Sequence, residues 1–156
     1  MSPPEVWGPA VWILFHTLAE KVDETNFNKI KLSLFNIIKL ICKNLPCPYC
    51  ADDATRFLEQ TNIYNVKSKQ DFKNLIYIFH NRVNYKKKKN LLNFKDLDDL
   101  YKLKNLSKVI INFSQKYHTK GNMQLLNESF QRQLVIKEFN KWMKDNSQYM
   151  NWGISN

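Results

Sequence analysis

The stretch Leu45-Pro46-Cys47-Pro48-Tyr49-Cys50 carries two of the chain's three cysteines. Thiols at Cys-x-x-Cys spacing can form half of a zinc site, pack as inert side chains, or cycle between dithiol and disulfide. A structural zinc site needs four ligands. Cys42 and one of the three histidines could complete it, but no second close ligand pair is present. Redox use has a physical motive. A helix beginning at Pro48 puts Cys50 in its first turn, near backbone N–H groups that favour a thiolate and lower the cysteine pKa. Pro48 suits that turn, where its missing N–H costs nothing. No βαβ pattern surrounds the motif, so it is not a thioredoxin-type unit. A dithiol on helices then needs a separate electron acceptor. Cys42, on an apolar helical stripe, reads as core packing.

The other residues with chemical potential are His16, His80 and the run Lys86–Lys89. Each histidine recurs with apolar positions on a helical face. Each could equally be a core histidine with a satisfied hydrogen bond. The lysine run could neutralise phosphate, present a solvated face or meet an anionic partner.

These residues must be placed by helices. A first helix is expected from about Trp7 to Val22, with Trp12, Phe15, His16, Ala19 and Val22 at helical spacing. A second spans about Phe27 to Lys43, with an apolar stripe of Phe27, Ile30, Leu34, Ile37, Ile38 and Ile41. A third begins near Pro48 and runs through Leu58. Asn62 to Lys67 reads as a loop. Ser68, with Asp71 three residues on, has the spacing of an N-cap before a fourth helix carrying Phe72, Leu75, Ile76, Phe79 and Val83. Asn93 to Tyr117 reads as one helical region and His118 to Asn122 as a break. Met123 to Met143 is a further amphipathic helix, and Tyr149 to Asn156 a loosely held tail. No strand pattern stands out. The expected fold class is all-α: a four-helix bundle plus additional C-terminal helices. The expected division is a domain over 1–117 and a helical C-terminal extension over 118–156, packed on or next to it.

The 156 residues fit one domain or one domain with an appendage, and 44% hydrophobic content supports a core. A net charge of +10 permits an anionic partner without identifying one. A non-enzymatic basic helical module with structural cysteines is the competing class. Nucleic-acid binding as the main role is disfavoured, since neither a recognition-helix signature nor zinc-finger spacing accompanies the lysines. The start MSPPEVWGPAVW lacks the basic residues and cleavage site of a signal peptide. No apolar run approaches the roughly 18 residues of a membrane span. A cytoplasmic or nuclear location is therefore expected, where a catalytic disulfide is less unusual than a structural one.

Three separated blocks carry a family resemblance. They are Trp7-Gly8-Pro9-Ala10-Val11-Trp12-Ile13-Leu14-Phe15-His16, Leu45-Pro46-Cys47-Pro48-Tyr49-Cys50-Ala51-Asp52-Asp53, and Phe79-His80-Asn81-Arg82-Val83-Asn84 followed by Lys86 and Lys89. In this order they resemble the Erv/ALR family of FAD-linked sulfhydryl oxidases, with the look of the compact enzymes of large cytoplasmic DNA viruses. The resemblance covers about residues 6 to 90. It implies a bundle with FAD inside it. It implies that Cys47 and Cys50 are the active pair, with Cys50 beside the flavin and Cys47 facing the substrate. Gly8, Trp12 and His16 would help enclose the cofactor. His80 and Asn81 would lie around its adenine end, and Val83, Asn84, Lys86 and Lys89 would line or approach it. The implied reaction passes electrons from a dithiol protein, of thioredoxin-like kind, through FAD to molecular oxygen, giving hydrogen peroxide. The resemblance also implies a homodimer, and a location in host cytoplasm and virion. The chain departs from many cellular members by lacking a second, shuttle Cys-x-x-Cys. Beyond Leu91 it also lacks their further cysteine pair and tryptophan, leaving Phe94 and Tyr101 as the aromatic residues there that could edge the pocket.

Overall fold

The structure, a computed structural model, describes residues 4–118 and 123–152. It is all-α, with seven α-helices and no sheet among the described residues. A core of α1 (Pro4–Lys21), α2 (Phe27–Lys43), α3 (Pro48–Glu59) and α4 (Lys69–Lys86) is followed by α5 (Leu97–Tyr101), α6 (Leu106–Tyr117) and α7 (Met123–Asp145). Among the described residues no helix is long and apolar enough to cross a membrane.

Helix α1 is the hub. It packs against α4 on one side and along α6 on another, with α5 also in contact. It buries Val11, Leu14, Phe15 and Leu18. The helix starts at Pro4 rather than near Trp7. Proline's fixed φ is already helical and its missing N–H is harmless in a first turn. Pro9 lies deeper, and without an N–H it leaves one helical carbonyl unpaired by the backbone. Helix α2 buries the whole expected stripe from Phe27 to Ile41, and packs against α3 and α7.

Local capping fixes the start of α4 as the sequence suggests. Ser68 Oγ accepts from Asp71 N at 3.1 Å, and Asp71 Oδ2 accepts from Lys67 N at 2.9 Å. Each satisfies a donor that helix geometry orphans. At the other end of α4, Lys88 N donates to Tyr85 O and Lys89 N to Asn84 O, a Schellman closure. Lys88 holds φ 57 there, the left-handed conformation that glycine normally supplies.

Two expectations are corrected. Asn93 to Tyr117 is not one helix. A short 3₁₀ turn (Phe94–Asp96) leads into α5, and α6 restarts at Leu106. The restart is capped by Asn105, whose Oδ1 accepts from Lys108 N at 3.1 Å. The break is also held from outside: Lys21 Nζ donates to Lys102 O at 2.6 Å, and Leu106 N donates to Trp152 O at 2.9 Å. The tail is likewise not loose over its described part. Asp23 N donates to Tyr149 O at 2.7 Å and Asn151 N to Lys21 O at 2.8 Å, around a bridge between Val22 and Met150. Of the break expected at 118–122, only His118 is described, and it is non-helical; residues 153–156 of the tail also lie outside the described residues.

The extension is tied into the same core. Phe113 packs edge-on to Phe139 of α7 at 5.6 Å between ring centroids, and Tyr117 Oη donates to Ile41 O at 2.8 Å. Phe139 is fully buried. Phe139→Ala is expected to destabilise the fold by about 3–5 kcal/mol, with urea unfolding still a single transition. A loss below about 1 kcal/mol would mean that α7 is not part of the same core.

Candidate functional site

The second cysteine block sits where the backbone itself creates chemistry. Cys47 is the N-cap of α3 and Pro48 its first residue. Cys47 Sγ accepts from Cys50 N at 3.2 Å. The sulfur thus takes one of the donors that a helix start leaves unpaired. Cys42, Cys47 and Cys50 are all free thiols. The expectation that the helix start lowers the Cys50 pKa is not met. Burial pushes the Cys50 thiol up to about 11, and the Cys47 sulfur adds to the rise, while the Lys87 ammonium opposes it. Desolvation outweighs the partial charges of a single helix end.

Cys50 opens into a cleft between α1, α3 and α4. Its walls are apolar, built from Trp7, Val11, Trp12, Phe15, Phe79 and Val83. Tyr49, 72% exposed, stands at its rim. Cys47 is not in this lining. A second cavity continues from it, sharing Gly8, Trp12, Val83 and Lys87, and adds His80, Asn84, Lys89 and Tyr101. The combined space runs from an apolar end at Cys50 to a polar, basic end at Lys89.

At Gly8, which lines both parts, a Cβ would meet no atom within 4 Å. Any larger residue would project into the cleft. This chemistry fits FAD. A flat apolar slot suits an isoalloxazine ring, and Lys87 and Lys89 suit a pyrophosphate. Among the described residues no three His, Cys, Asp or Glu side chains gather as a metal site would require.

Of the residues singled out from sequence, Gly8, Trp12, His80, Val83, Asn84, Lys86, Lys89 and Cys50 line this space. His16 and Asn81 stand behind it. His16 Nε2 and His80 Nδ1 lie 2.8 Å apart and share a hydrogen bond. Trp12 stacks on His80 at 4.1 Å and 7°, and His16 stacks on Tyr101 at 4.6 Å and 10°. Asn81 clasps the segment after α4: its Nδ2 donates to Leu92 O at 3.1 Å, and its Oδ1 accepts from Leu92 N at 2.7 Å. Asn84 Nδ2 in turn donates to Asn81 Oδ1 at 3.5 Å. Lys86 is committed to an ion pair with Asp53 across α3 and α4.

Lys87 is the charged lining residue nearest Cys50 in effect, and it was not among the predicted site residues. The signal was its place four residues after Val83, at the C-cap of α4, within a run otherwise readable as a solvated face. Cys42 also borders the cleft, but it is 1% exposed and burial drives its thiol pKa upward. It is therefore a poor nucleophile.

Both histidines are neutral. Burial, aided by the neighbouring His80, lowers His16 to about 3, and burial with the Lys89 charge lowers His80 to about 4. The unfolded chain protonates both near 6.5. Above that pH neither state carries the charge and the full stability is present. As pH falls below about 6.5 the unfolded state takes up protons that the folded state refuses, so stability falls toward the folded values. The expected slope between pH 6.5 and 5 is up to about 1.4 kcal/mol per pH unit for each histidine. Urea unfolding at several pH values measures it; a flat profile over that window would contradict the buried neutral pair.

The comparisons with known proteins bear on the same stretch of chain. Residues 9–104 match the model of the Erv1 / Alr family. A FAD-linked sulfhydryl oxidase of Invertebrate iridescent virus 6 is 32% identical over 95 residues, spanning 57% of this chain and 86% of that protein. A FAD-linked sulfhydryl oxidase of African swine fever virus is 27% identical over 95 residues, covering 61% of this chain and 79% of its own. A protein of the same description from Vaccinia virus is 35% identical over 81 residues, covering 51% of this chain and 77% of its own. No solved structure gives a significant match. With more than half of its length matched by the family model, the chain belongs to the Erv1/Alr family.

Proposed function

We propose that this protein is a FAD-dependent thiol oxidase that makes disulfides in partner proteins, using Cys47 and Cys50 as its working pair. The observation that carries this reading is the split between the two sulfurs: Cys50 lines the cleft, and Cys47 caps α3 outside its lining. In the oxidised pair, a substrate thiolate attacks Cys47. A substrate–Cys47 disulfide forms and the Cys47–Cys50 bond breaks, leaving Cys50 as thiolate. The substrate's second thiolate then attacks its own sulfur in the mixed disulfide and releases Cys47. The substrate has lost two electrons and the pair has gained them. FAD held by Trp12, His80, Lys87 and Lys89 would supply the two-electron acceptor for the pair and the link to molecular oxygen, with hydrogen peroxide as product.

The residues of the chain supply the rest. Burial discourages ionisation of Cys50, and Lys87 is the charge that favours its thiolate. Trp12, Phe79 and Val83 keep water from the sulfur end. His80 is the candidate hydrogen-bond partner at the far end, held in place by His16 and by the Trp12 stack. Lys87 and Lys89 are candidates for the phosphates, with Lys86 bracing α4 to α3 through Asp53. Asn84 lines the polar part, oriented by Asn81. The reading includes a dithiol protein of thioredoxin-like kind as substrate and a homodimer as assembly. Because α6 covers part of α1 and α7 part of α2, a second copy would pack on the bundle surface those helices leave open. Host cytoplasm and virion are the proposed locations.

The purified protein should be yellow and should consume oxygen when given dithiothreitol. A colourless protein after attempted FAD reconstitution would end the oxidase reading. Cys47→Ser and Cys50→Ser should each drop dithiol turnover to background, roughly a hundredfold or more, while keeping the flavin absorbance. Cys42→Ser should retain most activity, as expected for a buried thiol that takes no part in exchange.

A further inference from the structure

A third cavity lies beside the working pair, outside the cofactor cleft. It is a groove of about 240 Å³. One wall is Leu45, Pro48 and Ala51, from the turn before α3 and its first turns. The other wall is Glu128, Gln131 and Arg132 of α7. Leu45 and Pro48 bracket Cys47 along the chain.

We propose that this groove seats the extended peptide segment flanking the reduced cysteine of the substrate protein, and that α7 thereby selects the substrate. This rests on the oxidase reading above. Attack on Cys47 requires the substrate sulfur to come within bonding distance of Cys47 Sγ. The residues on either side of that sulfur must then run over the turn that holds Cys47. Leu45 and Pro48 are that turn, and the space beside them is bounded by α7.

The lining also states what kind of segment fits. Lys43 and Arg132 are balanced by Asp52 and Glu128, and Arg132 is within 4.0 Å of Glu128. A wall with no net charge favours an uncharged strand of chain over a strongly basic or acidic one. Leu45, Pro48 and Ala51 offer apolar contact, and the exposed Gln131 amide can pair with a peptide N–H and C=O together. The α7 wall is anchored from behind. Ser129 is buried with its Oγ 3.3 Å from His118 Nδ1, and Val135 and Phe139 pack in the core. The family match ends at residue 104, so this wall belongs to the part of the chain outside it.

The test uses full-length protein carrying Cys42→Ser and Cys50→Ser, so that Cys47 is the sole thiol. Its exchange rate is measured with two disulfides of thionitrobenzoate. One is Ellman's reagent, and the other is the mixed disulfide of an uncharged dodecapeptide with a central cysteine. Adding Gln131→Trp fills the groove from an exposed position, and Gln131→Lys charges it with less bulk. Both are expected to slow the peptide reaction at least fivefold while leaving the Ellman's rate within twofold, with unchanged thermal unfolding. Equal slowing of both reagents, or no change in either, would overturn the groove as the docking site. The readout needs no flavin, so failure of the oxidase reading shows separately, as absent oxygen uptake by the wild type with dithiothreitol.

Discussion

The hydrogen bond between His16 and His80 sets the spacing on which the site depends. Helices packed only by aliphatic side chains close on one another until the space between them is filled. Between α1 and α4 flat rings make part of the contact, Trp12 on His80 and His80 to His16, and His16 stacks in turn on Tyr101 of α5. Two imidazoles taken out of water would be costly unpaired, so each satisfies one nitrogen of the other. That fixes one end of the interhelical gap. Toward the amino end of α1, Gly8 removes the side chain that would fill it. A cleft persists because one stripe, Gly8-Trp12-His16, is spaced four residues apart and so faces α4 along its whole length.

The same spacing explains what could be read from the sequence. Helices α2, α3 and α4 are strongly marked, by the Phe27–Ile41 stripe, by Pro48 and by Ser68. The marks are local, and so are the interactions that they specify. The break between α5 and α6 is different. No proline or glycine lies between Asn93 and Tyr117, and the apolar positions keep a helical rhythm through it. What interrupts the helix is Lys21 and Trp152 reaching Lys102 and Leu106 from far along the chain. The described tail is held by the same partners. Bonds between residues so distant leave no trace in a local pattern.

The site divides in a similar way. Residue types at helical spacing identify most of the lining, since facing a cleft and facing a core impose the same periodicity. They do not separate a residue that touches the space from one that stands behind it. His16 and Asn81 are of the second kind, acting through His80 and Asn84. Lys87 escaped for a further reason. It is the C-cap of α4, four residues after Val83, and its N–H still donates to Val83 O, so it continues the face that Val83 presents to the cleft. A run of four identical residues does not mark which of them falls on that face.

The two cysteines show how a short motif acquires two roles. Local reasoning places both at one helix start and assigns the electrostatic benefit to Cys50. In the fold it is Cys47 whose sulfur accepts the helical N–H, while Cys50 is raised by burial. Three residues are enough to carry the chain from a half-buried N-cap outside the cleft lining to a sulfur within it. The asymmetry gives the pair a direction. In the proposed reaction an incoming thiolate attacks Cys47 and Cys50 is the leaving sulfur. The electrons would then arrive at the sulfur that faces the cleft, and burial favours its protonated form even with Lys87 opposing. A raised pKa disfavours the thiolate against the protonated thiol, so the proposed relay needs an occupant of the cleft that stabilises the thiolate. The placement that makes Cys50 a poor free thiolate is also the one that sets its sulfur against the cleft in that proposal.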